Sequence, residues 1–186
     1  MDEPMRYLRQ RVLEGVGEAG QQLFFSTEVV CEGQSPALQT AAAYIEAAGF
    51  CLNRHAVPLH PGFCPVAWQE PKGVEPCSAP LPASAVRQRG FLGQLPCACP
   101  EGFDFWVLMG CWGGEPGFIF ARQSQKPFLE ARLRGSGVVL EEPSPVHFMM
   151  AAWAALVFEK LALGLLPEAG GGSISALGEV KLWEAY

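Results

Sequence analysis

The sequence predicts an α/β fold, a Rossmann-like sheet that is parallel in its first half and gains an antiparallel hairpin after residue 104. The first observation is an apolar run from Val29 to Cys31, followed by a Gly-containing turn and an Ala-rich segment at 37–48 with helical spacing. The second is a pair of apolar runs, 105–110 and 118–121, that flank a Gly-rich turn. A strand–turn–helix unit followed by a hairpin is typical of a mixed sheet.

The N-terminal elements follow from local signals. Residues 5–25 predict an amphipathic helix, a turn at 15–17 and a second short helix. Ser35 is the expected N-cap of the helix at 37–48, Pro36 fits its first turn, and Gly49 is expected to end it. Residues 50–52 predict the second strand, because they are the next short apolar run.

The middle of the chain changes character, since nine prolines lie between Pro58 and Pro100. Proline breaks helices and ladders, so we expect a Pro-rich irregular insert at about 53–100, with one short helix at 83–92. The single domain, 1–186, then continues with its later elements. These are the five-residue hairpin turn at 113–117, a short strand at 138–140, an apolar helix at 145–163, a flexible loop at 164–173 and a last strand at 179–183.

Composition and charge exclude several function classes. Hydrophobic residues make up 49% of the chain and charged residues 17%, which favours a large core over disorder. The net charge of −6 argues against nucleic acid and anionic membranes as partners. Glu159 and Lys160 interrupt the apolar stretch at 146–166, so we expect a core helix there and no membrane span.

The seven cysteines contain no Cys-x-x-Cys pair, and Cys97 and Cys99 are the only two close in sequence. The start of the chain carries no secretory signal pattern, so we interpret the cysteines as reduced, mostly packed thiols in a cytoplasmic protein. A soft metal held by Cys97 and Cys99 with His55 or His60 is the alternative.

No other residue type gives a catalytic hypothesis. Cys111 is expected to be buried, His147 to cap the apolar helix, and the Glu141–Glu142 pair to lie in a solvated turn. Tryptophans are expected to be core or interface anchors, at positions Trp68, Trp106, Trp112, Trp153 and Trp183. No Ser-His-Asp or Cys-His arrangement has local support, so no catalytic residue and no metal ligand is assigned.

Several segments, taken in order, resemble a known family. Residues 6–10 read Arg-Tyr-Leu-Arg-Gln, and 16–21 place a glycine and a Gly-Gln pair before the first strand. Residues 107–120 hold a strand, a Gly-x-x-Gly turn and a returning strand, and 158–164 and 178–184 hold a helix end and a closing strand. This order resembles the E1-like adenylating enzymes that activate ubiquitin-like sulfur carriers, of the ThiF, MoeB and HesA type, over about two-thirds of the chain.

The resemblance implies a nucleotide site from which this sequence departs. Arg9 matches the arginine that reaches toward the partner subunit's nucleotide, and within this chain alone it would pair inside its own helix. Gly33 matches the first glycine of the phosphate loop, but the residues that follow lack the other glycines, and Pro36 has no N–H. Leu52 is followed by Asn53, without the ribose-binding carboxylate.

Two further family features are absent. If 86–87 correspond to the family's arginine region, Pro82 stands where the magnesium-binding aspartate is expected. Residues 127–131 match the position of the zinc-binding segment and contain no cysteine. The resemblance therefore implies a shortened, non-catalytic relative that uses no cofactor and binds or scaffolds a ubiquitin-like carrier protein or an active homologue. It also implies a homodimer or a heterodimer with a homologue. The alternative is an adenylyltransferase that uses ATP and magnesium.

Overall fold

The computed structural model describes residues 15–33, 35–53, 84–95, 97, 99–112, 114–134, 144–175 and 179–184. The predictions that fall on Arg9, His55, His60, Trp68, Pro82, Glu141, Glu142, the helix at 5–14 and the strand at 138–140 lie outside these residues. So does most of the predicted Pro-rich insert, residues 54–83.

The described residues form a seven-stranded sheet in the order β2-β1-β3-β4-β5-β6-β7. Strands β2, β1, β3 and β4 are parallel, and β5, β6 and β7 continue the sheet in antiparallel fashion. The prediction of a Rossmann-like α/β sheet with a parallel first half and an antiparallel addition is confirmed. The strands are β1 (Thr27–Glu32), β2 (Cys51–Asn53), β3 (Gln88–Gln94), β4 (Phe105–Trp112), β5 (Glu115–Arg122), β6 (Ala169–Ile174) and β7 (Val180–Glu184). The helices are α1 (Gly17–Phe25), α2 (Pro36–Ala48), α3 (Lys126–Leu133) and α4 (Pro145–Ala162).

Helix α2 begins and ends where its local signals predict. The Ser35 side-chain oxygen accepts a hydrogen bond from the Leu38 N–H at 3.1 Å, and Pro36 occupies the first turn. Gly49 ends the helix with φ of +104°, a left-handed conformation that favours glycine. These local signals therefore determine where α2 begins and ends in the chain that follows β1.

Two cores lie on the two faces of the sheet. On the first, the helical face, α1, α2 and α4 pack over strand residues such as Val29, Val107 and Phe118. On the opposite face, Leu129 of α3 and Phe103, which precedes β4, pack with residues such as Trp106 and Leu108. Because successive strand residues face opposite ways, both faces of β4 are apolar, as expected of a strand buried on both sides.

The helix predicted at 83–92 is wrong, because residues 88–94 form β3 between β1 and β4. The run Gln-Arg-Gly-Phe-Leu-Gly-Gln has two glycines and no clear alternation, which hides the strand in the sequence. The structure gives one reason for Gly90: a Cβ there would overlap with the Phe158 and Phe105 rings. The strand is buried by aromatic side chains from neighbouring elements.

The flexible loop predicted at 164–173 is also wrong in its second half, where residues 169–174 form β6. Glycines at 170–172 suggest a loop in the sequence, yet all three are buried in the sheet. The predicted hairpin is confirmed, but β4 and β5 continue to Trp112 and Glu115, which pair directly. The expected five-residue turn is therefore wrong, because residues 115–117 belong to β5.

Helix α4 matches the apolar helix expected at 145–163 to within one residue at its end. Within the described ranges, no helix combines the length and apolar character needed to cross a bilayer.

Candidate functional site

The strand order identifies where a ligand of this fold would bind. From β1 the chain passes through α2 to β2 on one side, and β3 then pairs with β1 on the other side. In open α/β sheets, ligands bind outside the carboxyl ends of the strands at such a point. Here that place is formed by Glu32 at the end of β1, Gly33 after it, Gln94 at the end of β3, and the N-terminus of α2.

Gln94 occupies this place. Its side-chain oxygen Oε1 accepts a hydrogen bond from the Ser35 N–H at 2.9 Å. Gly33 has φ of +138°, and a Cβ there would lie 2.8 Å from Gln94 Cβ and 2.8 Å from Leu38 Cδ2. Gly33 directly follows β1, and its missing side chain leaves room for Gln94 and Leu38 to pack.

Several backbone donors around the start of α2 are used within the protein. The Ser35 N–H binds Gln94, the Leu38 N–H binds Ser35 Oγ, and the Gln39 N–H binds the Ser35 carbonyl at 3.1 Å. Pro36 has no N–H to donate. A phosphate group at a helix N-terminus needs such N–H groups to point at it. Two of the terminal donors, the N–H groups of Ser35 and Leu38, already have acceptors here, and the Gln39 N–H makes the first helical bond.

Sequence reasoning missed Gln94. A polar residue at the carboxyl end of a central strand is a usable signal, but it depends on locating the strand first. Because β3 was predicted as a helix, Gln94 had no position relative to β1 and Gly33. The contact also joins residues 59 positions apart, which no local pattern reveals.

The segments that the resemblance matches to a ribose site and a zinc site form a strand end and a helix. Strand β2 ends at Asn53, an amide where the family has a carboxylate. Residues 127–131 lie inside α3, where Leu129 packs into the core on the opposite face. The segment that matches the zinc-binding position is therefore an ordinary packed helix.

Cys97 and Cys99 lie beside the opposite face and pack partly against its core. Burial raises the pKa of the Cys97 thiol to about 12, with smaller contributions from Cys99 and Glu32. Burial also raises the pKa of Cys99 to about 11; Glu130 raises it further and Lys126 lowers it. Since the thiolate is the nucleophile, both thiols are weak nucleophiles at neutral pH.

No group of three or more His, Cys, Asp or Glu side chains that would hold a metal ion occurs within the described part of the chain. The metal site considered for Cys97 and Cys99 thus gains no described third ligand, and its two histidines lie outside the described residues.

The remaining candidates have structural roles. The Ser144 N–H donates to His147 Nδ1 at 3.1 Å, so His147 caps α4 as predicted, and burial lowers its pKa.

Trp106 is buried and its Nε1–H donates to the Pro100 carbonyl at 3.3 Å. Cys111 was predicted to be buried and is only half-buried, because it lies where β4 approaches its hairpin turn. Trp112, Trp153 and Trp183 pack partly buried against the two cores.

Comparison with models of known protein families, and with curated proteins, finds no match for this chain.

Proposed function

We propose that this protein is a non-catalytic relative of the ThiF, MoeB and HesA type of E1-like enzymes, and that it binds or positions a small ubiquitin-like carrier protein or an active homologue. The observation that carries the proposal is the hydrogen bond from Ser35 N–H to Gln94 Oε1, at the place where the family holds phosphates.

The arrangement at the start of α2 supports the loss of nucleotide binding. A triphosphate with magnesium needs several backbone donors, a cationic group and a metal-binding carboxylate together. Here the Ser35 and Leu38 N–H groups are engaged, Pro36 has none, and Asn53 replaces the ribose carboxylate. Displacing Gln94 and the Ser35 cap would cost about 1 kcal/mol for each hydrogen bond.

The sheet supports a binding role. A seven-stranded sheet with two cores persists although the phosphate loop is degenerate, so the scaffold is available for contacts with proteins. The net charge of −6 favours a protein partner over nucleic acid or an anionic membrane. The proposal includes a homodimer or a heterodimer with a homologue, and a cytoplasmic location, which the reduced-thiol interpretation of the cysteines favours.

The test is a calorimetric titration with magnesium-ATP, together with pyrophosphate exchange in the presence of candidate ubiquitin-like carrier proteins. We expect neither heat of ATP binding nor exchange, and measurable binding of a carrier or a homologue. The Gln94→Ala variant frees the Ser35 N–H and should still not bind ATP, because Pro36 and Asn53 are unchanged. Gln123→Ala, at an exposed glutamine outside the site, is the matched control.

The second candidate is the adenylyltransferase itself, with ATP and magnesium as its cofactors. It is favoured by the position of Gly33 and the α2 N-terminus at the carboxyl end of β1, where a phosphate would bind. ATP binding with carrier-dependent exchange would establish this alternative. Absence of ATP binding, of carrier binding and of homologue binding would overturn both.

A further inference from the structure

Helix α4 carries a row of apolar side chains on the side that faces away from its buried residues. Leu156 is 47% and Met149 is 45% exposed, and Trp153 and Leu163, just after the helix, are partly exposed. The row also contains the exposed Lys160, and its members recur at intervals of four and three residues along one side of the helix: Met149, Trp153, Leu156, Lys160 and Leu163, which we call the α4 stripe. Exposed apolar side chains grouped in this way mark a contact surface.

The chain that precedes α1 reaches the structure at the C-terminal end of α4. A Cβ at Gly15 would lie 3.3 Å from Leu165 Cδ1, and a Cβ at Gly20 would lie 2.9 Å from Leu163 Cδ2. Gly15 has φ of +88°, the left-handed conformation that commonly follows the last residue of a helix. A helix that ends just before Gly15 would therefore start its course beside one end of the α4 stripe.

The segment before Gly15 has a matching pattern in the sequence. An amphipathic helix is predicted there, and Met5, Leu8 and Val12 recur at intervals of three and four residues. Such a narrow apolar row, with arginines outside it, is typical of a helix that pairs with one other helix. The α4 stripe has the same spacing, so the two rows are complementary in periodicity.

One register aligns the two rows when the segment runs parallel to α4. With Gly15 beside Leu163, each apolar residue of the segment falls opposite a member of the stripe: Leu8 opposite Leu156, Met5 opposite Trp153 and Val12 opposite Lys160. The aliphatic stem of Lys160 can cover a valine while its ammonium stays in water. A helix over residues 5–14 is about 15 Å long, and the 18 residues of α4 span about 27 Å, so the segment fits on the stripe.

The covalent connection through Gly15 favours this segment over a free partner of similar chemistry. A group tethered beside its binding surface is present at an effective concentration on the order of millimolar. A second copy or another protein with a similar apolar surface would have to compete against that concentration. The stripe and the segment are therefore expected to pair within one chain.

We propose that residues 5–14 form a helix that docks on the α4 stripe of the same chain, parallel to α4 and with Leu8 against Leu156. The docked helix keeps Arg9 on its own subunit, whereas the resemblance implies an arginine that reaches toward a partner subunit's nucleotide. This inference goes beyond the proposed function and does not depend on it.

The first test is hydrogen exchange of the full chain, followed by mass spectrometry. An isolated helix of ten residues is marginal in water, so slow exchange in this segment reports docking. We expect the amides of residues 8–14 to exchange at least about tenfold more slowly than those of an unstructured chain. Leu156→Lys should remove most of this protection and leave the amides of β4 unchanged, which shows that the variant is folded. Leu182→Lys, at a leucine of β7 that is 65% exposed, is the matched control and should leave the segment protected.

Cross-linking tests the register. Leu8→Cys combined with Leu156→Cys should form a disulfide within one chain under mild oxidation, identified by mass spectrometry of the non-reduced peptides. Gln10→Cys combined with Leu156→Cys is the control, because position 10 lies on the opposite side of the predicted helix and should give no such bond. Leu156→Cys alone measures the background from the seven native cysteines.

Three results would overturn the inference. The first is exchange of residues 8–14 in the wild type at the rate of an unstructured chain. The second is protection that Leu156→Lys leaves unchanged. The third is a disulfide between positions 8 and 156 that joins two chains, which would assign the stripe to the segment of a second copy. None of these results concerns ATP or carrier binding, so the proposed function would survive each of them.

Discussion

The two halves of the sheet fill their interior in opposite ways. In the parallel half, strand side chains such as Val29 and Leu92 meet apolar side chains from the helices, and Phe158 of α4 packs edge-on against Phe50 and Phe105. In the antiparallel half, β6 contributes three glycines, and the rings of neighbouring strands lie over its backbone. The difference teaches that β6 depends along its length on side chains being absent, whereas the parallel half depends on side chains being present except at points such as Gly90.

The largest expected effect comes from removing a side chain in the parallel half. Phe158→Ala should lower the free energy of unfolding by about 3–5 kcal/mol, because it leaves a cavity between Phe50, Phe105 and β3. Urea denaturation measures the change. Leu156→Ala, on the exposed side of the same helix, is the control and should cost less than about 1 kcal/mol. Equal losses in both variants would contradict the packing described for this half.

The next prediction adds a side chain in the antiparallel half. A Cβ at position 171 would overlap with the Trp183 ring and lie 2.7 Å from the Phe118 carbonyl oxygen. Gly171→Ala should therefore lower the free energy of unfolding by about 2 kcal/mol, although alanine is the smallest possible addition.

Adding Trp183→Leu to Gly171→Ala gives a test of that cause. Because the Phe118 carbonyl belongs to the backbone and cannot move aside, we expect the double variant to regain only part of the loss. A double variant as stable as Trp183→Leu alone would show that the indole is the whole obstacle.

The same contrast explains what the sequence predicts and what it does not. Helix α2 was located because Ser35, Pro36 and Gly49 act on their own neighbours along the chain. Strands β3 and β6 were missed because their burial is supplied by side chains distant in sequence, such as Phe158 over Gly90. The candidate site was half predicted: Gly33 precedes α2 and is visible locally, whereas Gln94 reaches it only through the pairing of β1 with β3.

The third prediction concerns Glu159, a carboxyl residue of α4 in the helix layer that packs on the sheet. Burial raises the pKa of Glu159 in α4 to about 7. The folded protein therefore binds a proton on the Glu159 carboxyl more tightly than the unfolded chain does. The resulting contribution to the free energy of unfolding is fully present below about pH 4.3 and is lost as the pH rises through about 7.

Glu159→Gln removes that dependence. The variant should exceed the wild type by about 1–2 kcal/mol in free energy of unfolding at pH 8, and the advantage should shrink steadily on acidification to pH 5. Denaturation curves at several pH values measure it, with Glu18→Gln at an exposed position of α1 as the control. A difference that does not change with pH would assign the effect to something other than this carboxyl.

The smallest effect is expected at the boundary between β1 and β3, where a side chain serves as a hydrogen-bond acceptor. Gln94→Ala removes the acceptor of the Ser35 N–H in a partly buried position. We expect a loss of about 1 kcal/mol in the free energy of unfolding, less than for either core substitution, because water can replace the amide oxygen. Urea denaturation of Gln94→Ala and Gln94→Glu tests this contact. The glutamate keeps both an acceptor for the Ser35 N–H and nearly the same volume beside Gly33, so Gln94→Glu should be the more stable variant if the contact matters. Equal stability of the two variants would show that neither the hydrogen bond nor the packing of this side chain holds β3 beside the start of α2.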